Sequence, residues 1–162
     1  MGALVIFALN LFAPSIAHAD MPNELRALQI VESSDGQNTE HALVTRGVNA
    51  GTFAGGRFGI MPKTALEAIK FNPNYFAQYQ DLLDKSPEEV SIALNTNHQL
   101  DLQMASFLWG KLRKDRSVDQ AACSWYFGPN SRRCKGSTEL MTLEYVAKFN
   151  RALNSLTIAR YP

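Results

Sequence analysis

From residue 62 onward the chain reads as a succession of short helices, each opened by a capping or turn residue, and no segment alternates apolar and polar residues as a substantial strand would. Pro62 suits a first helical turn and leads into Thr64-Ala65-Leu66-Glu67-Ala68-Ile69. Further helices are expected over residues 75–83, from Ser86-Pro87-Glu88-Glu89 with its capping-box sequence to Leu94, and over residues 100–112, 118–125 and 137–153. Upstream, Pro22-Asn23 caps a helix over residues 24–32 in which Leu25, Leu28 and Val31 or Glu32 recur at helical spacing. Residues 33–57 are polar and glycine-bearing without a sustained period, a loop with short extended or turn pieces. Loops of that length inside compact domains tend to be functional. The class is therefore mainly α, and the lack of repeats, low-complexity tracts and linkers leaves residues 20–162 as one expected domain.

A chain of 162 residues that is 46% apolar can build a real core, burying about two thirds of its unfolded surface. Its formal net charge is only +1, which argues against nucleic acid as a partner, because phosphate binding needs a cationic excess to release counterions. The charge is uneven along the chain. From Trp109 onward ten Lys and Arg face four Asp and Glu, a net +6 that leaves −5 before it, read either as a solvated face or as a basic rim toward an anionic polymer.

Residues 4–13 are apolar except for Asn10, and Ala17-His18-Ala19 supplies the small residues that signal peptidase needs. Residues 1–19 are thus expected to be a signal peptide cleaved before Asp20. The run is too short for a membrane span, which takes about 20 apolar residues. The mature protein is expected to be periplasmic or secreted, with no membrane span. No Lys or Arg precedes the apolar run, which suggests a start placed late or a clipped leader. Cys123 and Cys134 are the only cysteines; in an exported chain such a pair most simply forms one disulfide, adding about 3 kcal/mol of stability by closing a short loop. Zinc would need more ligands than this pair, and His18, His41 and His98 are scattered. No metal or cofactor is expected.

The chemistry-bearing text is Glu32-Ser33-Ser34, followed by Ala54-Gly55-Gly56-Arg57-Phe58-Gly59-Ile60-Met61-Pro62-Lys63-Thr64-Ala65, then Trp125-Tyr126-Phe127-Gly128-Pro129 and Tyr145-Val146-Ala147-Lys148-Phe149. In that order and spacing the chain resembles the lysozyme-like lytic transglycosylases, the Slt and goose-type lysozyme superfamily. That family places an acid and a serine at a helix end, then Gly-Leu-Met-Gln-Ile-Met-Pro-x-Thr-Ala, Tyr-Asn-Ala-Gly-Pro and Tyr-Val-x-Lys-Val. The match runs from Leu25 to Phe149. It implies a compact lysozyme-like domain with a long active-site loop after the catalytic helix, acting on peptidoglycan glycan strands; a monomer is expected, although no residue bears on oligomeric state.

By that resemblance Glu32 is the general acid/base of a muramidase cleaving the β-1,4 bond between N-acetylmuramic acid and N-acetylglucosamine. The residues themselves offer a physical reason. Glu32 follows apolar Ile30 and Val31, stands at the helix end where the dipole disfavours negative charge, and has no Lys or Arg beside it in sequence; all three raise a carboxyl pKa, as protonating a departing glycosidic oxygen requires. The bland reading is an ordinary exposed glutamate. A transglycosylase needs only this one acid, because the substrate's 6-hydroxyl attacks and leaves a 1,6-anhydro product. A hydrolase on the same scaffold needs a second carboxylate about 6.5–9.5 Å away, for which Asp35 and Glu40 are candidates; a non-catalytic glycan-binding domain is the third reading.

The expected substrate-facing residues are Ser33, Gly56, Phe58, Gly59, Met61, Tyr126, Tyr145 and His41. Gly55, Gly56 and Gly59 let the backbone approach a sugar, and Phe58 and Met61 line the cleft; otherwise they form a plain glycine-rich turn. Trp125, Tyr126 and Phe127 either stack on sugars from within the disulfide loop or pack in the core. Tyr145 matches the family tyrosine near the catalytic acid, with core packing as its alternative. His41 orients a substrate hydroxyl or is merely polar surface. Gly59 stands where the family has glutamine and Tyr126 where it has asparagine, so the amides that contact the N-acetyl and neighbouring groups are missing. A de-N-acetylated glycan is the substrate that this departure suggests.

Overall fold

In a computed structural model the described residues are 21–33, 42–43, 53–135 and 143–158. Among these residues six α-helices carry the architecture: α1 (Asn23–Ser33), α2 (Pro62–Phe71), α3 (Pro87–Thr96), α4 (His98–Arg113), α5 (Val118–Phe127) and α6 (Glu144–Ile158). The only paired strands among the described residues are β1 (Ala42–Leu43) and β2 (Phe53–Ala54), antiparallel with Ala42 opposite Ala54. The expected mainly helical class is what the fold displays. His41, Asp35, Glu40, the expected leader and residues 137–142, where the last helix was expected to begin, lie outside the described residues.

Local chemistry explains the helix boundaries. Ser86 accepts from the Glu89 N–H while Glu89 reaches back to the Ser86 N–H, so the capping box opening α3 forms in both directions. Ser117 and Gln120 do the same for α5. Pro62 occupies the first turn of α2, where its missing N–H leaves no bond unmade. Residues 75–83, expected as an α-helix, are instead a turn followed by a 3-10 helix, Ala77–Asp84, with Tyr79 off helical geometry. The buried positions Phe76, Tyr79 and Leu82 recur every third residue, and a three-residue repeat keeps one face buried only if the chain winds at three residues per turn.

The core is continuous from α1 through α4 to α6, centred on Leu28, Phe58, Ile69, Leu100, Met104 and Phe149. α6 packs along α1, which brings residue 145 beside residue 32. Trp109 joins the layers: its ring meets Trp125 and Phe149 at 6.2 and 5.7 Å, and its Nε1 donates to Glu24 Oε2 at 2.7 Å. Cys123 and Cys134 form the expected disulfide, their Cα atoms 5.5 Å apart, in a smaller cluster with Val146.

Candidate functional site

Glu32 is set by three elements. It lies in the last turn of α1, Tyr145 reaches it from the first turn of α6, and Gly59 faces it from the turn between β2 and α2. The Tyr145 hydroxyl donates to Glu32 Oε1. Burial pushes the Glu32 carboxyl up from 4.5 to about 7, while the bond from Tyr145, which favours the charged form, pulls the other way without winning. Tyr145 is itself held far above the ordinary phenol range by burial and by the Glu32 charge. It therefore stays a donor. Near neutral pH the pair consists of a carboxyl poised to lose or regain a proton and a phenol that keeps its own.

The turn at residues 56–59 is fixed on every side. Gly55 and Ile60 exchange backbone bonds at 2.9 and 2.8 Å and close it at its base. The Gly56 N–H donates to Asn95 Oδ1 at 2.7 Å, the Arg57 N–H to Asp101 Oδ2 at 2.9 Å, and Trp125 Nε1 to the Phe58 carbonyl at 3.2 Å. Gly56 and Gly59 have φ of 76° and 62°, a left-handed backbone that L side chains rarely adopt. Both positions are also sterically closed: a Cβ on Gly56 would stand 2.0 Å from Asp101 Oδ1, and one on Gly59 would stand 2.8 Å from Glu32 Oε2. Gly55, Gly56 and Gly59 are expected from the sequence to admit a sugar; what approaches Gly56 and Gly59 is the protein's own carboxyl groups, and Gly55 is closed by the Ser91 backbone.

Other expected site residues divide. Tyr126 is 60% exposed and stacks on Tyr145, with ring centroids 4.6 Å apart and planes 20° from parallel. An open aromatic face thus covers the phenol that holds Glu32. Met61 is half-buried as the residue preceding α2. Ser33 is 1% exposed and its hydroxyl donates to the Gln29 carbonyl at 2.8 Å, facing its own helix rather than a substrate. Phe58, expected to line a cleft, is 1% exposed and belongs to the core, and the cleft it borders is the one beside Asp101 rather than a space at Glu32. Trp125 is half-buried and tied to the turn, and Phe127 packs by the disulfide under the Arg133 guanidinium. Of the three aromatics from the disulfide loop, Tyr126 alone presents an open face.

Asp101 is the residue that sequence reasoning missed. It lies in the first turn of α4, is 1% exposed, and its carboxyl is pushed up to about 7 by burial, against the opposing pull of the Arg57 N–H and guanidinium. Its signal was present: Leu100, Met104, Ala105 and Trp109 trace the buried stripe of α4, and Asp101 falls within it. An acid in an apolar stripe needs a partner on the facing element. A cleft of about 470 Å³ borders Asp101, Arg57, Tyr75 and Gln103; Glu32 is not among its lining residues. The turn stands between them, with Arg57 on the cleft side and Gly59 against Glu32.

Among the described residues no three His, Cys, Asp or Glu side chains come together as a metal site, and no helix is long and apolar enough to cross a membrane. Comparison with known proteins finds no matching family model, no matching curated protein and no matching solved structure.

Proposed function

We propose that the chain is an exported muramidase in which Glu32 is the single general acid/base, finishing by the lytic transglycosylase route. The observation that carries this reading is the half-buried Glu32, whose carboxyl is raised to about 7 by desolvation and oriented by the Tyr145 hydroxyl. A general acid works best when its pKa lies near the operating pH, because it is then both protonated and willing to give the proton up. The order of sequence motifs supplies the substrate class, and the exposed Tyr126 face beside the acid suits a sugar ring.

In this mechanism the Glu32 proton passes to the glycosidic oxygen as the bond from that oxygen to C1 breaks. The positive charge that develops on the ring is quenched when the substrate's 6-hydroxyl attacks C1. The hydroxyl proton goes to the Glu32 carboxylate, which restores the acid and leaves a 1,6-anhydro end. Tyr145 fixes the carboxyl's position throughout. Asp101 does not serve as a base for water: it is buried, one of its oxygens bonds the Arg57 N–H and the other is packed against Gly56. Asp35 and Glu40, the candidates for a hydrolase's base, lie outside the described residues.

Mass analysis of products from purified sacculi tests the route. Anhydro ends are expected; reducing ends would move the protein to the hydrolases, and no cleavage by the wild type would leave a non-catalytic glycan-binding domain.

A further inference from the structure

The four-residue turn at 56–59 has a carboxyl group at each end, Asp101 against Gly56 and Arg57 and Glu32 against Gly59. We infer that Asp101 is a positioning residue, whose carboxyl latches the turn so that Gly59 stays against Glu32 and keeps water from its carboxyl. The inference rests on the reading of Glu32 as the acid. Asp101 Oδ2 is the acceptor for the Arg57 N–H, at the second of the turn's four positions. Its Oδ1 makes no hydrogen bond and fills the space that a Gly56 side chain would take. Such a burial is costly for a carboxyl, and a simple structural strut could have been an amide or an apolar residue. The compensation is local: Arg57 brings its guanidinium to the same carboxyl, and the first turn of α4 presents the positive end of its dipole. On the Glu32 side, the separation is too small for a side chain at residue 59. A displacement of the turn by about the width of a water molecule would hydrate the acid and return it toward an ordinary carboxylate.

The test is the titration of the Glu32 carboxyl carbon by NMR in the full chain with its disulfide intact, comparing wild type with Asp101→Asn, Asp101→Ala and Asp101→Leu. Asparagine removes the charge and keeps the acceptor for the Arg57 N–H. Alanine and leucine remove both, and leucine keeps the volume should the alanine variant not fold. The wild-type midpoint is expected near 7. The alanine and leucine variants should move it down by about one unit or more, a tenfold or larger gain in the ionised fraction on the acid side of neutrality, and asparagine should restore most of the difference. The same order should appear in the alkaline limb of sacculus cleavage. Equal midpoints in all four proteins, or asparagine and leucine shifting Glu32 alike, would overturn the inference, the second by showing that charge alone couples the sites. The titration needs no turnover. A coupled titration in a protein that cleaves nothing would therefore defeat the muramidase reading while leaving the latch itself demonstrated.

Discussion

Gly59 has no side chain because Glu32 occupies the space one would need: a Cβ there would stand 2.8 Å from Glu32 Oε2, on a backbone with φ of 62°. Gly59→Ala should therefore suffer twice, from backbone strain of about 1–2 kcal/mol and from displacement of the acid. Gly128→Ala is the control for backbone strain without a contact, since its φ is 90° but nothing lies within 4 Å of its Cβ position. Both variants should lose stability in denaturant titrations, whereas only Gly59→Ala should also lose sacculus cleavage by tenfold or more. Equal activity losses would show that the contact with Glu32 does not matter.

Tyr145→Phe removes the one side-chain bond that favours the charged form of Glu32. The Glu32 pKa should rise above about 7, so the alkaline limb of the pH–rate profile moves to higher pH, with kcat lower because the acid is less well oriented. The ring stack on Tyr126 needs no hydroxyl and should remain. A limb that moves to lower pH would contradict the assigned role of the phenol.

Stability should fall as pH rises through the weakly acidic range. Folded Glu32 and Asp101 hold their protons to about 7, against ordinary values of 4.5 and 3.8. At pH well below 4 both states are protonated and neither group matters. Between about 4 and 7 the unfolded chain ionises first and gains, and above about 8 the loss is complete. Each group costs roughly 3–4 kcal/mol at the alkaline end. Glu32→Gln with Asp101→Asn should flatten this slope in urea midpoints measured from pH 4 to 8. A wild-type midpoint that climbs with pH across the same range would show that neither carboxyl is desolvated.

How much of this was legible in the sequence depended on whether a residue acts through its neighbours in the chain or across the fold. Caps at Ser86 and Pro62 act within one turn, and the helices they begin were read correctly. The winding at 77–84 is not legible in the sequence, because Phe76, Tyr79 and Leu82 fit an α-helical pattern nearly as well until the core fixes a three-residue period. Glu32 and Tyr145 were singled out by motif, yet their bond joins residues 113 apart and depends on α6 packing along α1. Ser33 has the expected neighbours in sequence but turns its hydroxyl onto its own helix, and Phe58 packs in the core while bordering the cleft beside Asp101 rather than Glu32. Asp101 went unnoticed because its meaning resides in a turn 44 residues away.

On the proposed muramidase reading, Gly59 and Tyr126 stand where the motifs that the sequence resembles carry amide side chains, and the space beside Gly59 is taken by Glu32. Cleavage of de-N-acetylated sacculi should be faster than that of acetylated sacculi under matched conditions. Equal rates would remove the support for that preference.

The most direct measurement of the central claim is the rate of sacculus solubilisation by wild type and Glu32→Gln from pH 5 to 9. The wild type should be active at the acidic end and fall through a midpoint near 7, and Glu32→Gln should lose two or more orders of magnitude, the scale of general acid catalysis, while remaining folded. Comparable rates for the two proteins would contradict the account, since no shielded proton at residue 32 would then be needed to break the glycan strand.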